Sequence, residues 1–88
     1  MNRTEKRALE ISGALKEWFK EECRNETTPE EIMPYLYEKG IYNEGKRKDA
    51  LKLRADLRKL FEENSLDLIE GVRFIQKNKN KEWYFVKV

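Results

Sequence analysis

The sequence has no histidine, one cysteine, two prolines and four glycines among its 88 residues. Each scarcity excludes something. Without histidine, the most common general base and the most common transition-metal ligand are missing. A lone cysteine forms no internal disulfide, whereas a small secreted scaffold stapled by bridges carries four or more. No apolar run approaches the roughly 20 residues a membrane span needs. Met1 is followed by Asn2, Arg3 and Thr4 rather than by an apolar stretch, so no secretory signal is expected. There is no Walker A loop, no G-x-G-x-x-G and no metal-ligand spacing. Glu21-Glu22 and Glu30-Glu31 are adjacent carboxylates, and neighbours in sequence do not face each other on a helix. The expectation is a cytoplasmic, non-enzymatic chain without cofactor or metal, folded as one domain over residues 1–88.

What is present is charge. Residues of the D, E, K and R types make up 41% of the chain against 39% hydrophobic ones, yet the net charge is only +2. The near-neutral total hides an uneven distribution. Residues 1–26 balance. Residues 27–45 are acidic, with Lys39 set against Glu30, Glu31, Glu38 and Glu44. The second half is basic, in two clusters: Lys46 to Lys59, and Arg73, Lys77, Lys79 and Lys81.

Hydrophobic spacing organises the chain. Ala8, Ile11, Leu15, Trp18 and Phe19 fall on one stripe of a helix over about 4–24, with Thr4 as the expected N-cap. Cys23, at the edge of that stripe, is expected to be a small buried hydrophobe. Leu9 lies off the stripe and hints at a second apolar contact, such as a homodimer. Thr28-Pro29-Glu30-Glu31 matches a capping box with proline at the first helical position, starting a helix over about 28–39. Pro34 predicts either a kink or a handover to a new helix there. Gly40-Ile41 reads as a Schellman stop with its hydrophobic contact. A loop at Tyr42 to Gly45 leads to a third helix over about 47–64, with Ala50, Leu53, Leu57, Leu60, Phe61 and Asn64 as its buried stripe. Leu66, Leu68 and Ile69 are expected to pack under its end.

From Gly71 the period changes. Residues 71–77 and 82–88 are rich in β-branched and aromatic side chains and flank Asn78-Lys79-Asn80-Lys81, which predicts a β-hairpin over about 71–88. Two registers are open: Val72, Phe74, Trp83 and Phe85 inward with Tyr84 outward, or the reverse.

Stepping about 100° per residue round the third helix from Leu57, Lys48, Lys52 and Lys59 point away from the core. Arg47, Arg54 and Arg58 lie on one flank, and Asp49, Asp56 and Glu63 on the other, facing the protein body or solvent. The order helix, helix, basic helix, then a hairpin with a basic tip resembles a winged helix-turn-helix domain over nearly the whole chain. The matching residues are Gly40-Ile41 at the turn, Leu53 to Leu60 in the third helix, and Arg73 to Lys87 in the wing. The stretch from Ile41 to Asp49 exceeds the family's turn of about four residues. The family's short strand between the first two helices has room only near Asn25 to Thr27.

The resemblance implies an α+β, mainly α fold: a three-helix winged helix-turn-helix with a C-terminal hairpin wing. It also implies double-stranded DNA as partner, for a small transcriptional regulator or DNA-maintenance factor. The third helix would enter the major groove through Arg47, Lys48, Lys52 and Arg54, flanked by Lys46, with Arg58 and Lys59 on phosphates. Arg73, Lys77, Lys79 and Lys81 would bring the wing onto the backbone. The alternative partner is a protein, met by the acidic, tyrosine-rich second helix at Glu30, Glu31, Tyr35, Tyr37 and Glu38.

Overall fold

The structure, a computed structural model, describes residues 2–42 and 50–88. Among the described residues three helices and a small three-stranded antiparallel sheet form one mainly helical α+β unit. The elements in chain order are α1 (Arg3–Glu22), β1 (Glu26–Thr27), α2 (Pro29–Glu38), α3 (Leu51–Glu62), a 3-10 turn (Leu66–Leu68), β2 (Val72–Lys77) and β3 (Asn80–Val86). The sheet order is β1-β3-β2. None of the helices described is long and apolar enough to cross a membrane.

The cap of α1 differs from the expectation. Asn2, not Thr4, stands at the N-cap: its side chain accepts from the Glu5 N–H, and Glu5 reaches back to the Asn2 N–H. This capping box satisfies two of the orphan donors of the first turn, and Thr4 falls inside the helix and is buried. At the other end Cys23 is exposed rather than buried, because it takes the left-handed conformation that ends the helix and so leaves the stripe. Ala8, Ile11, Leu15, Trp18 and Phe19 are buried as their spacing requires.

Thr28 caps α2 through its hydroxyl, which accepts from the Glu31 N–H at 3.3 Å. The helix runs through Pro34 without a break. Pro34 lies on the exposed side, and its missing N–H leaves only the Glu30 carbonyl without its helical donor. Gly40 then adopts φ +77°, and the Ile41 N–H reaches back five residues to the Leu36 carbonyl at 3.0 Å, closing the Schellman motif. The end of α3 repeats it: Asn64 has φ 56° and the Ser65 N–H donates to the Leu60 carbonyl at 2.8 Å.

The buried side of α3 departs from the expected stripe. Leu53, Leu57 and Leu60 are buried, and so is Asp56. Phe61 is 39% exposed and Asn64 is exposed. The axis of burial is therefore rotated toward the acidic edge. Residues 47–49 of the expected helix, and most of the expected loop, lie outside the described residues.

The hairpin takes the first of the two registers. Val72 pairs with Phe85 and Phe74 with Trp83, which puts all four on the face toward the helices. Asn78 and Lys79 form the two-residue loop, with Asn78 at φ 52°. β1 extends the sheet on the other side of β3, Thr27 opposite Phe85. Thr27 is buried, and its hydroxyl has no partner among the described residues. Replacing it with the isosteric valine removes an unsatisfied polar group from the core. Thr27→Val is expected to raise stability by about 1 kcal/mol, read as a higher urea midpoint at an unchanged slope.

Candidate functional site

The basic candidates divide by what surrounds them. On α3, Lys52, Arg58 and Lys59 are exposed and have no carboxylate partner among the described residues. They share the outward side of the helix with the small, exposed Ala55, which leaves the backbone approachable. Arg54 is different. It is half-buried and ion-paired with Glu30 of α2. The groove beside it, about 390 Å³, is also lined by Glu26, Glu82 and Lys81. Three carboxylates against two cations make that groove a poor seat for an anion.

In the hairpin, Lys79 stands exposed at the tip. Lys77 meets Glu82 across the strands at 2.9 Å. Arg73 turns its guanidinium back to donate to the Val72 carbonyl at 2.9 Å. Lys81 faces inward and holds its ammonium over the rings of Phe61 and Phe74, at 4.5 and 5.7 Å from their centroids. The half-exposed Phe61 and the edge-to-face ring of Phe74, 5.3 Å away, thus fix one cation between α3 and the hairpin. The helical period alone places Phe61 in the core; in the structure it is 39% exposed, with the Lys81 ammonium over its ring. Lys46, Arg47 and Lys48 lie outside the described residues.

A second feature escaped the sequence reading. Buried Asp56 accepts from the Tyr42 hydroxyl at 2.6 Å and from Arg7 Nη1 at 3.1 Å. The Arg7 guanidinium also sits 5.0 Å over the Tyr42 ring. Three side chains, from α1, from the chain just after α2, and from α3, are thereby tied at one carboxylate. Burial, then the hydrogen bond to Asp56, pushes the Tyr42 phenol far above its ordinary value. The fold therefore favours the neutral phenol. Above about pH 10 an unfolded chain loses this proton and the folded chain keeps it, so stability falls by about 1.4 kcal/mol per pH unit from this group. Urea unfolding at pH 9, 10 and 11 is expected to show this loss setting in and steepening toward that slope, and Tyr42→Phe to lack this share of it.

The acidic, tyrosine-rich second helix is largely committed within the fold. Glu31 binds Arg24 at 2.7 Å, and Glu30 holds Arg54. The Tyr35 hydroxyl donates to Glu17 at 3.4 Å, and Lys39 lies 3.7 Å from the same carboxylate. Burial raises the Tyr35 phenol, and its hydrogen bond to Lys39 raises that ammonium in turn. Among the described residues no three His, Cys, Asp or Glu side chains gather as a metal site.

Comparison with protein-family models, with curated proteins and with solved structures finds no match.

Proposed function

We propose that the chain is a non-enzymatic, cytoplasmic winged helix-turn-helix domain that binds duplex DNA as a small transcriptional regulator or maintenance factor. The third helix, α3, enters the major groove, and the β2–β3 hairpin lies on the adjacent backbone. The observation that carries this reading is the set of exposed cations that have no carboxylate partner among the described residues, Lys52, Arg58 and Lys59 on α3 and Lys79 at the hairpin tip. The element order and the strand order β1-β3-β2 support it, since they put one basic helix and one basic hairpin in a single structural unit. Cations left without partners on a solvated helix repel one another, and a phosphate backbone relieves that repulsion. Arg54 and Lys77 contribute less than their charge implies, because Glu30 and Glu82 already neutralise them.

The test is a mobility-shift titration on duplex DNA at several salt concentrations. The parent is expected to bind in a salt-sensitive way. Each of Lys52→Glu, Lys59→Glu and Lys79→Glu is expected to flatten the slope of log affinity against log salt by roughly 0.9. A Lys52→Glu plus Lys79→Glu double variant that bound as well as the parent would overturn the proposal.

A further inference from the structure

Among the described residues the outer edge of β2 is open. In the order β1-β3-β2, β2 pairs there with β3 alone. The Val86 N–H donates to the Gly71 carbonyl at 2.8 Å, so Gly71 and Val86 form a hydrogen-bonded pair. Antiparallel ladders alternate such pairs, and the register continues them at Arg73–Tyr84, Ile75–Glu82 and Lys77–Asn80. The N–H and C=O groups of Val72, Phe74 and Gln76 therefore point away from the sheet. The strand is unbulged over its six residues, since its register is continuous.

Two observations argue that this edge is more than a guarded one. A guarded edge places charge or a bulge at its middle. Here the middle of the outward face is Ile75, which is 50% exposed, with cations Arg73 and Lys77 two residues to either side. The Arg73 guanidinium donates to the outward Val72 carbonyl. A second copy of the chain fits poorly. Antiparallel pairing with Ile75 on Ile75 would set Arg73 opposite Lys77 twice over, and like charges directly opposite are destabilising.

We propose that the β2 edge accepts an extended, acidic peptide segment of another protein as a fourth strand of the sheet. The segment carries an apolar residue opposite Ile75 and carboxylates two residues to either side, opposite Arg73 and Lys77. Its main chain meets the outward groups of Val72, Phe74 and Gln76. Its N–H replaces the Arg73 guanidinium at the Val72 carbonyl, which frees that guanidinium for the incoming carboxylate. The Lys77–Glu82 pair is an exposed one, and exposed pairs contribute little, so Lys77 exchanges partners at small cost. Main-chain bonds supply the affinity and the alternating side chains supply the specificity.

The probe is an acetylated heptapeptide, Thr-Glu-Thr-Val-Thr-Glu-Thr, titrated into the whole chain without DNA and followed by amide NMR. Saturation is expected to slow exchange of the Phe74 and Gln76 N–H groups about tenfold. A peptide with lysine in place of both glutamates is expected not to bind. Gln76→Pro removes one outward N–H, and proline is tolerated on edge strands. It is expected to weaken binding about tenfold, while Gln76→Ala, which also loses the side-chain bonds to Asn78 and Asn80, keeps it. Arg73→Glu leaves the backbone intact and is expected to weaken binding of the acidic peptide. No binding up to about 1 mM peptide, binding indifferent to Gln76→Pro in a folded variant, or equal binding of the lysine peptide would each overturn the proposal. Slowed exchange of the same amides with rising protein concentration alone would overturn it too, in favour of self-pairing. The DNA titration is separate, so either reading can fail alone.

Discussion

Asp56→Ala is expected to lower the stability of the fold by about 3–5 kcal/mol, the range for removing one partner of a buried ion pair. The carboxylate side chain is 9% exposed and Arg7 20% exposed, so neither is well solvated. Removal leaves the Arg7 guanidinium without its counter-charge and the fully buried Tyr42 hydroxyl without its acceptor. For a domain with a total of about 5–15 kcal/mol, this places much of the population near unfolding. Asp56→Asn is expected to fall between, because the amide oxygen still accepts from Tyr42 while the ion pair is lost. Urea denaturation of the two variants and of Tyr42→Phe ranks the contributions. An Asp56→Ala loss below about 1 kcal/mol, the value of an ordinary exposed pair, would show that solvent reaches the site.

Gly71→Ala is expected to cost about 3 kcal/mol or more, from two sources. Gly71 has φ +85°, a backbone state that costs an alanine about 1–2 kcal/mol. The added Cβ would also collide with the Val86 carbonyl, a backbone atom that cannot swing aside. Relief requires opening the Val86 N–H to Gly71 carbonyl bond that begins the β2–β3 ladder. Gly40 is the internal control. It has φ +77° but open space where its Cβ would stand. Gly40→Ala is therefore expected to show only the conformational share, about 1 kcal/mol. If the two variants lose the same stability, the collision contributes nothing.

The legible parts of this fold are those whose signals are local. Gly40-Ile41 announced a Schellman stop because the left-handed residue and its following apolar contact are adjacent in sequence. Leu53, Leu57 and Leu60 marked one side of α3 by spacing alone. The hairpin followed from two β-rich runs around Asn78. The alternation left two registers, and only packing of Val72 and Phe85 against the helices chose between them. Asp56 was not legible as a core residue, since its partner Arg7 lies 49 positions away. Charge periodicity put it on an acidic edge facing the body or solvent, and the body side proved to be a buried ion pair. The α1 cap was misplaced by two residues because Asn2 and Thr4 are both good caps, and the Glu5 return bond decides between them. Among the candidate cations, the sequence could not tell Lys52, exposed and without a carboxylate partner among the described residues, from Arg54, neutralised by Glu30 on another helix.

The strand β1 is only two residues long, yet it changes when the molecule can be complete. Its flanking Asn25 carbonyl accepts from the Lys87 N–H at 2.9 Å, so the sheet closes a loop of about sixty residues. Helices α1, α2 and α3 form from neighbours in sequence, and the β2–β3 ladder closes through a two-residue loop. The β1–β3 ladder waits for Phe85 and Val86. Contacts of such long range slow the folding of small domains. During synthesis, the helical half has to wait for Trp83 and Phe85 to emerge before its core is covered. The interval between making Thr27 and making Phe85 is the period in which this chain is most exposed to aggregation.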